Sequence, residues 1–439
     1  MKELSTIAQS VQASTTMAID AMFKQMKADG IDVIGFGAGE PDFDTPATIK
    51  EAGIAAIRNN VTRYTPAAGT VELRQAVCDR MKADFGLDYK PAQVVVNSGA
   101  KHLVYLALRA IVNPGDEVIL PAPYWVSYIE LIRMVGGVPV VVTATEAEHF
   151  KLTADKLEGA ITPKTKAIIL NNPSNPTGMM YSREELESLA AVCEKADLYV
   201  ISDEIYACLA YDGREFTSFA SLSADAKERT ILINGVSKAY AMTGWRIGYA
   251  CANEKIAKVM ANYVSHSTGS PVGISQKAAA AALSGPQDEV LAMKKAFEER
   301  RNYIVERMNA IPGVSCIMPE GAFYVMMNLE QLIGKTIHGV TITDDDVCRR
   351  LPEIRLGGRG ARLRLWCAQL CPLVLRHLYG QHQGGAGPAG EIPGGVSLYK
   401  IKRTCCQSAS VFVSSTGRPY EDQGRPEGSP TCKEQRMVL

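Results

Sequence analysis

The 439-residue chain has no long hydrophobic run: nowhere do the ~18 consecutive apolar residues of a bilayer-spanning helix occur. Its first residues, MKELSTIAQSVQAS, lack the apolar core of a secretory signal, so a cytoplasmic protein is expected. Net charge is missing too. With 47 basic and 47 acidic residues, nothing electrostatic suggests nucleic acid or an anionic membrane as a partner. Cysteine and histidine never fall into a paired zinc spacing; Cys367 and Cys371 are four apart, but no second cluster completes a tetrahedral set, and no metal is expected. Internal repeats are absent as well.

What is present is enough apolar residue (46%) to bury two cores, since a single core stops growing at about 250 to 300 residues. The charge balance conceals two unlike parts. Residues 1–347 carry 33 basic and 41 acidic side chains, and residues 348–439 carry 14 and 6. Cysteine divides as unevenly, five before position 348 and six after it. The early five (Cys78, Cys193, Cys208, Cys251, Cys316) are scattered, mostly in apolar segments, as reduced core thiols are.

From about 93 to 250, apolar strands alternate with amphipathic helices: VVVN (94–97), VIL (118–120), VPVVV (138–142), AIIL (167–170), LYVIS (198–202) and TILING (230–235) read as strands. A capping pattern, S-R-E-E from Ser182, starts one of the helices. Continuous apolar strands between helices predict an α/β fold with a mostly parallel sheet covered on both faces. Ligands bind such sheets outside the carboxyl ends of the strands, so the polar strand-end loops are the places to search. Residues 253–310 read as helical, ending in a long charged helix that leads to a second domain, whose strands are expected at 314–317 and 322–328.

Four strand-end segments carry chemistry. NSGAK (97–101) sets small residues at a helix start, where free N–H groups and the helix dipole hold a phosphate or simply cap the helix. NNPSNPTG (171–178) is a stiff loop or merely a turn. SDEIY (202–206) places acids directly after a strand, as a solvated loop also does. NGVSKAYAMTGWRIGY (234–249) sets a lysine after a strand and an arginine eight residues later.

Together with GAGEPDFDTP (37–46), YTPAAGTVELR (64–74) and PAPYWVSY (121–128), in this order and spacing, these segments resemble the fold-type I, class I aminotransferases related to bacterial aspartate aminotransferases. The resemblance spans residues 1–347. It implies the pyridoxal-phosphate (PLP) transferase fold: an N-terminal arm and part of a small domain over 1–45, a large PLP-binding domain over 46–290, and the start of a smaller C-terminal α+β domain over 291–347. It also implies a homodimer that transfers an amino group, with aspartate and a 2-oxo acid such as 2-oxoglutarate favoured.

The same resemblance assigns roles. Lys238 would carry the cofactor covalently and move the substrate proton. Asp203 would hold the pyridine nitrogen protonated, Tyr206 and Asn175 would face the cofactor's phenolic oxygen, and Trp125 would stack on its ring. Gly99, Ala100, Ser237 and Arg246 would bind the phosphate, with Tyr64 reaching across from a partner subunit. Gly39 and Asn175 would meet the substrate α-carboxylate end. Lys101 would meet a distal carboxylate, unless it is a solvated lysine at a helix start.

The family's closing strand, with an arginine in a stretch like FVRWSYATS, is missing. Arg364, in LRLW, lies near that place with the wrong flanks, and the role is not carried over to it. The genetic code offers an account. Leu375 to Gln383 (LRHLYGQHQ) can be written CTA CGC CAC CTC TAT GGA CAA CAT CAA, which reads YATSMDNI when moved by one nucleotide. Cys371 to Leu375 likewise yields VRWS, the arginine codon straddling Pro372 and Leu373. A frameshift near Val347 and Cys348 is therefore expected, with read-through beyond about Glu391 and an irregular tail over 348–439; the exclusive alternative is a natural basic tail. Three other functional readings stand beside the leading one: a ligand-sensing regulator, which needs a DNA-binding domain ahead of the aminotransferase arm; a PLP-binding but catalytically crippled product; and a related PLP lyase.

Overall fold

The computed structural model describes residues 2–12, 21, 24–30, 39–337 and 340–341. The described chain centres on a seven-stranded sheet: β1 (Val94–Asn97), β2 (Glu117–Ala122), β3 (Val138–Thr143), β4 (Thr165–Asn171), β5 (Tyr199–Asp203), β6 (Thr230–Gly235) and β7 (Gly248–Cys251). Their spatial order is β1-β7-β6-β5-β4-β2-β3. From β3 to β6 every pairing is parallel, and β7 alone runs against both its neighbours. All four residues of β1, all six of β6 and all four of β7 are buried. That is why these strands are apolar without alternation: helices cover both faces.

The register sets the working edge. β5 pairs with β4 through Asn171↔Asp203, and β6 pairs with β7 through Gly235↔Gly248. The antiparallel β7 begins where its neighbours end, so the turn before it meets the loops after β1, β4, β5 and β6 at one side of the sheet. Beneath, Ile119, Ile168 and Leu170 of the sheet pack with Leu186, Leu189 and Cys193 of the helix Arg183–Lys195. That helix starts as the sequence predicts. Ser182 Oγ accepts from Glu185 N at 3.2 Å while Glu185 Oε2 accepts from Ser182 N at 2.7 Å.

The chain divides into two compact units, one of 1–14, 45–306 and 316–326, the other of 15–44, 307–315 and 327–439. The long charged helix is Asp288–Asn309. The expected strands at 314–317 and 322–328 form only isolated bridges, Ser315↔Asn328 and Ala210↔Gly321. Proline at 319, glycines at 313 and 321 and a positive φ (57°) at Ala322 interrupt the extended run that a longer ladder needs. Arg364 and the shifted-frame stretch lie outside the described residues.

Candidate active site

The loop after β1 turns through Gly99 (φ 86°) into the helix Ala100–Ile111. Its N-cap, Gly99, has no side chain to cap the helix start, which leaves the first N–H groups facing an anion site. Asn97 shapes the turn, its Oδ1 accepting from Ser98 N at 2.6 Å. Arg246 leans over it, donating to Ser98 O at 3.0 Å and Thr243 O at 2.9 Å. A Cβ on Gly99 would stand 2.5 Å from Arg246 Nη2, and one on Gly248 would stand 2.6 Å from Ala100 N. Only glycine leaves this cradle open. Backbone donors, a helix dipole and a guanidinium converge there, the donor set that a phosphate requires.

Beside the cradle, Lys101 Nζ sits 4.8 Å from the centroid of the Trp125 ring. Burial first, and the Arg246 charge second, push the Lys101 ammonium below its ordinary pKa. Trp125 meets Tyr128 edge-on at 5.3 Å, and Tyr128 Oη donates to Asp203 Oδ2 at 2.8 Å. Asp203, at the end of β5, also accepts from Ile205 N at 3.2 Å. Burial raises its carboxyl to about 6, against the pull of Tyr128, Ile205 and the charge on Lys238. Those opposing influences place Lys238, from the loop after β6, within electrostatic reach of Asp203.

Lys238 Nζ lies 5.9 Å from the Tyr206 ring centroid and 5.5 Å from that of Phe323. Tyr206 Oη lies 2.6 Å from Tyr324 Oη. Burial first, with the neighbouring Tyr324 phenol and the Asp203 carboxylate behind it, holds the Tyr206 phenol well above its ordinary pKa, so it stays protonated. The loop bearing Asn175 is fixed by Asn171 Oδ1, which accepts Asn175 N at 2.6 Å, and both of its X–Pro bonds, Asn172–Pro173 and Asn175–Pro176, are cis. Left-handed backbone at the non-glycine Ala241 (φ 49°) and Arg246 (φ 56°) flanks the lysine loop, the sort of strain that collects at working sites.

Direct contacts join Gly99 to Arg246, Lys101 to Trp125, Trp125 through Tyr128 to Asp203, and Lys238 to Tyr206, while Arg246 acts on Lys101 and Lys238 on Asp203 through charge; Ala100 follows Gly99 in the helix start, and Asn175 lies on the loop after β4, held by Asn171. Ser237 is buried beside Lys238, and its carbonyl accepts Met242 N at 3.1 Å. Two expected residues do not join this set within the unit. Tyr64 stands 99% exposed, and Gly39 belongs to the second unit. The sequence reading assigned no role to Tyr128, Tyr324 or Phe323. A signal existed for Tyr128, which follows Trp125 by three residues at a helix start and so shares its face; Tyr324 reaches Tyr206 across 118 positions and leaves no local trace.

Comparison with known proteins gives a consistent result. The model of the family "aminotransferase class I and II" matches residues 31–360. The aspartate aminotransferase of Bacillus sp. (strain YM-2) is 50% identical over 337 residues, covering 76% of this chain and 86% of that protein. Among solved structures, an aspartate aminotransferase from Rhizobium meliloti superimposes with a TM-score of 0.78 at 41% identity, covering 80% of this chain and 89% of that one. One from Thermus thermophilus, determined with maleate, gives 0.72 at 42% identity, with 74% and 85% covered.

Proposed function

The chain belongs to the class I and II aminotransferases, and from that membership we propose that it holds pyridoxal phosphate on Lys238 and moves the amino group of aspartate to a 2-oxo acid such as 2-oxoglutarate. The observation that supports this reading is the gathering, in the loops at one edge of the sheet, of a phosphate cradle, a buried carboxylate and a lysine set among aromatic rings. The chemistry that the cofactor supplies when bound is a sink for the electron pair left at the substrate α-carbon as its proton departs.

The protein's part is to hold, orient and move protons. Gly99, Ala100, Ser237 and Arg246 receive the phosphate, and Trp125 covers the ring. Asp203, steadied by Tyr128 and Ile205, keeps a proton on the ring nitrogen, and such a cationic partner in turn keeps the carboxyl ionised. Tyr206 and Asn175 turn donors towards the phenolic oxygen. The Lys238 amine, when free of the cofactor, would be placed to take the substrate α-proton as a general base and give it back as a general acid.

Aspartate is favoured because Lys101, a cation beside Trp125 and next to the phosphate cradle, offers a partner for a second carboxylate, and the Thermus structure was determined with the dicarboxylate maleate. Gly39 is proposed as the backbone donor to the α-carboxylate. The site is proposed to lie in a large PLP-binding domain over 46–290, with the arm (1–45) and residues 291–347 contributing to a smaller domain. Tyr64 is proposed to complete a second copy's phosphate site. Its exposure comes with that of Ile57, Val71 and Val272, an apolar set that a homodimer would cover.

Incubating the loaded protein with aspartate, without a 2-oxo acid, should release oxaloacetate in a single turnover, and alanine should react far more slowly. Lys238→Ala should abolish both the turnover and the visible absorbance of bound cofactor. A borohydride-reducible chromophore surviving in that variant would rule out Lys238, and equal rates with alanine would remove the role given to Lys101. Sedimentation showing a monomer at micromolar concentration would remove the role of Tyr64.

A further inference from the structure

Tyr324 sits in a segment fastened to both loops that carry Tyr206 and Asn175. Glu320 N and Gly321 N both donate to Gly178 O at 2.8 Å, tying it to the Asn175 loop. Ala322 N donates to Leu209 O at 2.9 Å, and Tyr211 Oη donates to Ala322 O, tying it to the Tyr206 loop. A Cβ on Gly178 would lie 2.9 Å from Tyr324 O, and one on Gly321 would lie 2.8 Å from Leu209 O. The backbones are therefore in direct contact, and the 2.6 Å separation of the two phenol oxygens is a built feature of this corner.

A phenol has one proton to give and two lone pairs to receive with. Across the 2.6 Å that separates Tyr206 from Tyr324 either phenol can be the donor, and Tyr206 has one proton to place. If it spent its proton on Tyr324, none would remain for a group held at Lys238. On the reading of the site given above, we infer that Tyr324 is a positioning residue that donates its proton to Tyr206, so that Tyr206 must turn its own O–H towards the oxygen of whatever Lys238 carries.

A hydrogen bond accepted from Tyr324 polarises the Tyr206 O–H and makes it the stronger donor. A stronger donor stabilises negative charge on the oxygen it faces, and so lowers the pH at which the adjoining nitrogen on Lys238 loses its proton. Tyr324 is thereby assigned an electrostatic task performed wholly through Tyr206, without touching the cofactor.

The test titrates the visible absorbance of the full-length, PLP-loaded protein with pH, in wild type, Y206F, Y324F and the double variant. Y324F should raise the midpoint by roughly 0.5 to 1 pH unit, a threefold to tenfold change in proton affinity, and Y206F by more. The double variant should match Y206F alone, because Tyr324 acts only through Tyr206. Tyr324→His, which keeps a donor, should lie nearer wild type than Y324F does; it carries the test if Y324F does not fold. An unmoved midpoint in Y324F, an equal shift in the Phe and His variants, or a Y324F shift that persists undiminished on the Y206F background each overturns the inference while leaving the site reading intact. An unmoved midpoint in Y206F overturns both.

Discussion

Asp203 and Glu204 are consecutive carboxyls at the end of β5, and their surroundings divide them. Asp203 faces Lys238 and Tyr128. Glu204 is fully buried: its Oε1 accepts from Ser202 Oγ (2.8 Å), Ser218 Oγ (2.9 Å) and Phe219 N (3.2 Å), while its Oε2 has no hydrogen-bond partner among the described residues. Burial raises the Glu204 carboxyl to about 7, against those three donors. A carboxyl whose folded-state pKa lies above its ordinary 4.5 binds its proton more tightly in the native state. Its contribution to stability is therefore complete below pH 4.5 and is lost as pH rises through 7. Glu204→Gln keeps the shape and one acceptor without the ionisation. Relative to wild type, it should be neutral near pH 4.5 and more stable by about 3 kcal/mol near pH 8. Denaturant melts at the two pH values decide this, and a difference independent of pH would mean that Glu204 does not ionise across that range. The sequence shows both acids after a strand, but it shows neither the buried pocket of Glu204 nor the Tyr128 contact, because those partners come from other elements.

At the scale of elements, legibility follows how local the determinants are. The run TILING is β6 to the residue, and S-R-E-E starts its helix as read, since continuous burial and capping are written within a few positions. The four-residue GYAC of β7 gives no such signal, and its reversal depends on the turn through Arg246. Two substitutions separate stability from binding. Ser182→Ala removes one half of the capping box and should cost about 1 kcal/mol in a denaturant melt, with cofactor affinity unchanged. Gly99→Ala should do the opposite. An added Cβ meets Arg246 Nη2 and the φ of 86° disfavours any side chain, so the cradle must open. Equilibrium dialysis should show PLP held about 10- to 100-fold more weakly, the loss of one charge-assisted contact. Unchanged affinity in that variant would place the phosphate elsewhere.

For the whole molecule, the two parts of the chain follow different rules. Every residue proposed to hold the cofactor lies between Tyr64 and Arg246, and the family match stops at residue 360 of 439. Beyond Val347 the chain carries 13 glycines, 7 prolines and six of the eleven cysteines, and with permitted codons a one-nucleotide shift can convert Cys371 to Gln383 into VRWSYATSMDNI. A coherent conversion over that stretch is hard to obtain from codon freedom alone. The arginine in that stretch would clamp the substrate α-carboxylate and aim its α C–H bond at Lys238, and a bidentate contact of this kind contributes about 1.5 to 3 kcal/mol per hydrogen bond. Without it, PLP should still bind, but kcat/KM for aspartate should fall at least ~10- to 100-fold, since 1.4 kcal/mol is a factor of ten. Restoring the frame at codon 347 should raise aspartate transamination by that factor while leaving the absorbance of bound cofactor in place. Changing the arginine codon of the restored stretch to lysine should then reverse most of the gain, because a single ammonium cannot reproduce the planar fork. If the 439-residue protein transaminates aspartate as fast as the frame-restored one, residues 348–439 supply a carboxylate site of their own, and the frameshift is not what separates this chain from its relatives.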